Sequence, residues 1–291
     1  MTEPETPMPE PPEDEGFFAS RLWRDLLILI ITIAPIGLVY LLPTDTSLAD
    51  VQQRGLITAC VPTSYPPLVM EGEDRGFDIY MLEEIARRLG VAISFNVNPA
   101  IGQDFNPRNW RINRAQCQII GGGVVVSDQT RSFLDTISTD IETGWAMLSK
   151  GEAVLNRGDK VGIFPGAGGL DRVGLAALMR QHGIAVTLLP SAAALEQALA
   201  SGAVDAAITE SLGARGIARS HPDWVVSWLP GGAGRYALGY GLWKGDLTLK
   251  KRLQAILADL EREGFVRDLE NRYGILPIEA VAQFGQEGQN P

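Results

Sequence analysis

Beyond residue 55 the chain alternates short, nearly continuous apolar runs with longer stretches whose apolar residues recur every three or four positions. Residues 56–61, Leu-Ile-Thr-Ala-Cys-Val, form one such run and predict a strand buried on both faces. Leu82, Ile85, Ala86 and Leu89 then fall at i, i+3, i+4 and i+7, one face of a helix that Gly90 is placed to end. Residues 91–97 predict a second strand, and residues 117–120 a third that runs into three glycines. The rhythm repeats farther on. Strands are expected at 160–164, 203–209 and 236–243, and helices at 171–181 and 193–200. Amphipathic helical segments follow over 249–273 with a break at Gly264, and residues 283–291 read as a frayed end. Alternating strands and helices predict an α/β fold on a parallel sheet.

The N-terminal part is patterned differently. Glu3, Glu5, Glu10, Glu13, Asp14 and Glu15 stand among five prolines, so residues 1–22 are expected to be a disordered acidic tail. Residues 26–42 then carry no charge, and Trp23 and Tyr40 sit near the two ends of that stretch. The length approaches what a ~30 Å hydrocarbon core requires, and residues 23–43 are expected to form one transmembrane anchor. Ser47-Leu48-Ala49 offers the competing reading of a cleaved signal. Arg21 and Arg24 flank the stretch on its N-terminal side. Positive charge stays inside, so the tail is expected in the cytoplasm and the main body outside the inner (cytoplasmic) membrane.

Composition narrows the function. The 291 residues are 45% hydrophobic and 21% charged, an ordinary globular balance with room for two lobes. A formal charge of -10 without clustered basic residues argues against nucleic-acid binding. Two Cys and two His are too few for a structural metal or iron–sulfur site, and no cofactor is expected. Gly166-Ala-Gly-Gly169 is not a dinucleotide fingerprint, because Asp171 takes the place of its last glycine. Neither His182 nor His221 has a nucleophile close by in sequence, so no enzyme is expected.

Five motifs in fixed order carry a resemblance. They are Ser64-Tyr-Pro-Pro-Leu68, Gly76-Phe-Asp-Ile79 with Ala86-Arg-Arg-Leu-Gly90, Thr130-Arg131 with Ser138, Val204-Asp-Ala-Ala-Ile-Thr-Glu210, and the stretch from Gly239 to Gly245. Together they resemble the type II periplasmic solute-binding proteins, in particular the polar amino-acid branch. That resemblance implies a two-lobed α/β fold with two hinge crossings. One lobe would comprise 48–147 plus 236–280 and the other 148–235, with crossings near Trp145 and Arg235 and a flexible tail at 281–291.

It also implies an interlobe cleft for an amino acid or similar small polar carboxylate, delivered to a transport permease. Arg131 would grip the carboxylate bidentately, or else be a surface arginine. Glu210 would face the ammonium, or else complement a helix N-terminus. Tyr65 would form an aromatic wall, or else pack within its lobe. Ser127 and the backbone of Gly166, Ala167 and Gly168 would complete the site. Cys60 and Cys117 fall on the first and third expected strands, where they either form a disulfide or remain two buried thiols. Ala59-Cys-Val61, residues 105–110 and Ala115-Gln-Cys117 are in addition similar to the binding-protein-like accessories of periplasmic quinoprotein methanol dehydrogenases. That similarity implies an alternative, a non-transport subunit docking on a membrane or periplasmic enzyme complex.

Overall fold

The computed structural model describes residues 23–33, 45–101, 105–165, 170–230 and 234–285. It divides into two units, residues 1–44 and 45–291. In the first, residues 23–33 form helix α1, whose Leu and Ile side chains are exposed. The remainder of the expected anchor and of the acidic tail lies outside the described residues. Among the described residues no helix is long and apolar enough to cross a membrane.

The second unit begins with α2 (Ser47–Arg54), β1 (Leu56–Val61), α3 (Phe77–Leu89) and β2 (Ala92–Val97). After a 3₁₀ turn at Pro107–Trp110 come β3 (Ile119–Val125), α4 (Asp128–Phe133) and β4 (Leu134–Ser149). Next are β5 (Val154–Leu155), β6 (Lys160–Ile163), α5 (Arg172–Gln181), β7 (Ala185–Leu188) and α6 (Ala192–Ser201). The chain closes with β8 (Ala206–Glu210), α7 (Ser211–Ala218), β9 (Val225–Trp228), β10 (Arg235–Trp243), α8 (Leu247–Arg262), α9 (Phe265–Tyr273) and β11 (Gln283–Phe284).

Eight strands follow the order β2-β1-β3-β10-β4-β8-β6-β7, and β9 pairs with β4 off this path. β1 runs parallel to β2 and β3, and β6 parallel to β7 and β8, as alternating strands and helices require. The centre departs from the parallel expectation. β10 is antiparallel to both β3 and β4, and β4 is antiparallel to β8 and β9. β4 serves two halves. Residues 134–144 pair with β10, and Trp145 to Ser149 pair with β8 and β9. Arg235, the first residue of β10, lies opposite Gly144, so both expected crossing points meet at one level of the sheet.

The C-terminal end is a correction. Instead of fraying from residue 281, it adds a further passage between the halves. α9 packs on α3, with the Tyr273 and Phe77 rings 6.5 Å apart in the first half. The chain then returns to the second half, where Trp228 N–H donates to Ala280 O and Ala282 N–H to Trp228 O. β11 pairs in parallel with β5. Unpaired main-chain groups beside β5 and β9 are a template that an incoming strand satisfies.

Two features hold the first half. Asp78, buried at the start of α3, accepts from Gly122 N–H at 2.6 Å and from the Tyr240 hydroxyl at 3.1 Å, which ties α3 to β3 and β10. Burial pushes its carboxyl up to about 6 against these hydrogen bonds. Cys60 and Cys117 form a disulfide. Cys117 lies two residues ahead of β3 rather than on it, and the bond sits in a small core with Ile101, Trp110 and Val124.

Candidate functional site

Tyr65 is placed by the bare backbone of β3. Gly122 and Gly123 have φ of 80° and 93°, in the left-handed region that favours glycine. A Cβ on Gly122 would stand 2.2 Å from Pro62 Cδ, and one on Gly123 would stand 2.2 Å from Tyr65 Cε1. These glycines, expected as a turn ahead of Arg131, are instead a buried length of strand on which the Pro62–Tyr65 segment lies. A bridge from Tyr65 N–H to Val69 O at 2.8 Å closes that loop.

Tyr65 is 6% exposed, and its hydroxyl lies 3.4 Å from Thr143 Oγ1. Thr143 in turn donates to Glu210 Oε1 at 2.5 Å, so the phenol is left as the donor to Thr143. Burial, and then the Glu210 charge, push the Tyr65 phenol well above its ordinary value, which keeps that proton on the ring. Residues from both halves thus form one buried chain, Tyr65–Thr143–Glu210.

Glu210 ends β8 and caps α7. Its Oε1 accepts from Leu212 N–H at 2.9 Å and from the Ser211 hydroxyl at 3.1 Å, and its Oε2 accepts from Gly213 N–H at 3.1 Å. With Thr143, four donors meet the four lone-pair sites of one carboxylate. Glu210 therefore acts as the helix N-terminal acid, and all of its acceptor capacity is used within the protein.

A cavity of about 540 Å³ opens beside this pair. The first half contributes Ser64, Tyr65, Pro66, Pro67, Met70 and, from the end of α9, Tyr273. The second half contributes Phe164, Thr209 and Glu210, the α7 face with Leu212, Gly216 and Ile217, and then Arg219. Glu196 of α6 also lines it and is bound to His221 Nε2 at 2.8 Å, whose ring stacks on Trp224. Deeper in the same half, Arg215 Nε and Nη1 are buried without a hydrogen-bond partner among the described residues. Burial lowers the pKa of that guanidinium, and the Glu210, Glu142 and Glu270 charges oppose the effect.

Of the residues expected to bind ligand, Tyr65 and Glu210 are brought together at this cavity. Ser127 caps α4, accepting from Thr130 N–H at 3.1 Å. Arg131 lies within α4, its side chain 59% exposed and 3.7 Å from Asp128. Neither Ser127 nor Arg131 lines the cavity. Gly166, Ala167 and Gly168 lie outside the described residues. Thr143, Glu196 and Arg219 were not singled out by sequence. Thr143 sits in a strand with no clean alternation, and Arg219 follows a helix whose exposed face reads as ordinary surface.

No family model and no curated protein matches the chain. Solved structures do. A polar amino acid ABC uptake transporter substrate binding protein from Streptococcus thermophilus is similar at TM-score 0.64 and 17% identity, over 79% of this chain and 89% of that one. An ancestral cationic amino acid solute binding protein is similar at 0.62 and 19%, over 78% and 99%. An ancestral cyclohexadienyl dehydratase is similar at 0.53 and 22%, over 79% and 96%. These likenesses establish the type II periplasmic binding-protein fold for residues beyond the N-terminal unit, and they include both binding proteins and an enzyme.

Proposed function

We propose that the chain is a non-catalytic, extracytoplasmic solute-binding protein, held at the inner membrane by residues 23–43. Its ligand is an amino acid or similar small polar carboxylate, taken up between the two halves for delivery to a permease. The observation that carries this reading is the cavity of about 540 Å³ walled by both halves, with Tyr65 and Glu210 on opposite elements. That volume lies within the usual range for small-molecule sites. The Cys60–Cys117 bond supports an oxidising compartment, where disulfides persist. The uncharged stretch at 26–42 supports an uncleaved anchor. Hinge closure is the step at which Ser127, Arg131 and the 166–168 loop would join the ligand.

Titration calorimetry of the full chain in detergent, against the amino acids and small carboxylates, tests the binding role. Saturable heat with micromolar affinity is expected, and Tyr65→Ala is expected to weaken it. A folded protein that gives no heat across the panel overturns the reading.

One observation favours a second reading, an accessory subunit docked on a membrane or periplasmic enzyme complex. Glu210 spends its acceptor sites on its own helix and Arg131 lies off the cavity, so the paired charges that a zwitterion needs are not assembled. Purification from solubilised membranes separates the two, since the accessory brings down a stoichiometric enzyme complex without a permease.

A further inference from the structure

The cavity's charges and walls narrow the class of ligand, and this step rests on the cleft being the binding site. Three charged side chains reach the cavity: Glu196, Glu210 and Arg219. Glu210 has no acceptor site left for an ammonium group, and Glu196 is committed to His221 at 2.8 Å. Arg219 is different. It makes no ion pair with any described residue, and its stem lies against α9, with Cδ 3.0 Å from where a Cβ on Gly274 would stand. Packing of the stem limits the rotamers open to the guanidinium, so less entropy is lost when it grips a carboxylate.

The rest of the wall is largely apolar: Tyr65, Pro67, Met70, Phe164, Ile217 and Tyr273. At Gly216 the α7 backbone itself faces open space, with nothing within 4 Å of a Cβ built there. Such a site has one free cation, no free anion and an aromatic lining.

We propose that the cleft selects a monocarboxylate with an aromatic or aliphatic body over a zwitterionic polar amino acid, with Arg219 holding the carboxylate. The body replaces water along the Tyr65, Phe164 and Tyr273 faces, where burial of apolar area drives binding. An α-ammonium group on the same ligand would be desolvated without a partner and lowers affinity.

The probes are 3-phenylpropionate, its neutral amide, L-phenylalanine and L-glutamate, titrated into the full chain in detergent. 3-Phenylpropionate is expected to bind tightest of the four. Arg219→Gln is expected to weaken it by about tenfold or more, the usual cost of a lost charge-assisted hydrogen bond, and to leave the amide unchanged. Arg131→Gln is expected to alter neither. Gly216→Leu, which projects into the cavity from a helix that tolerates it, is expected to abolish binding while circular dichroism stays native. Preference for L-glutamate or L-phenylalanine, with Arg219→Gln silent, overturns the ligand class and leaves the cleft as the binding site. No binding of any probe, nor of the wider amino-acid panel, by folded protein overturns the cleft itself.

Discussion

Asp78 is 5% exposed, and its two hydrogen bonds do not fully offset the loss of water. A folded-state carboxyl raised to about 6 from 3.8 holds its proton more tightly than the unfolded chain does. Its contribution is therefore fully present below about pH 4, declines as pH rises from about 4 to 6, and is flat above, with a span on the order of 3 kcal/mol. Asp78→Asn keeps an acceptor for Gly122 N–H and removes the titration. Urea unfolding of this variant at pH 4 and pH 7 is expected to show a smaller loss with rising pH than the parent. Gly216 makes a second case at this scale. It lies inside α7 with open space beside it, so Gly216→Ala is expected to raise stability by about 0.5–1 kcal/mol, read from the urea midpoint. Tyr65 was legible as a site residue because an aromatic between a buried strand and a Pro-Pro turn has few places to go. Arg131 was not. Its order in the chain is clear, but the direction in which a short surface helix points an arginine depends on what packs beneath it.

At the scale of elements, α7 depends on a single side chain. Glu210→Ala removes the acceptor for Leu212 and Gly213 N–H and strands the Thr143 hydroxyl. The expected cost is about 2–4 kcal/mol, and Glu210→Gln, which restores part of the cap, should cost less. Chemical denaturation of the two variants orders them. Most helices and outer strands were readable because period and caps agree. Helix α3 ends at Gly90, and α6 begins after Ser191, whose side chain accepts from Ala194 N–H. β4 hid itself. Its early buried residues, Leu134, Ile137 and Ile141, are spaced three and four apart, which is helical spacing. The strand takes that pattern because each of its lengths faces a different neighbour, so no single face stays buried along all 16 residues. β7 was invisible for a simpler reason, since all four of its residues are exposed at the sheet edge.

For the whole molecule, the Cys60–Cys117 link closes a 57-residue separation and constrains the unfolded chain. In the chain-entropy model this contributes about 4 kcal/mol, so Cys60→Ser with Cys117→Ser is expected to lower Tm by roughly 10 °C in scanning calorimetry. Added reductant should reproduce the shift in the parent and leave the double variant unmoved. The two-half layout was readable from the order of motifs. The antiparallel centre was not, because β10 arrives from more than 80 residues beyond β4, and local pattern carries no information on how distant segments pair.

The C-terminal strap on β5 and β9 gives this molecule a mechanical character of its own. Two neighbouring strands act like a ribbon, which bends readily and also lets one end twist against the other. A third tether set to one side takes away the twist. Whatever swing the halves perform is thereby confined to a single plane, as a gate hung on separated pins can open only one way.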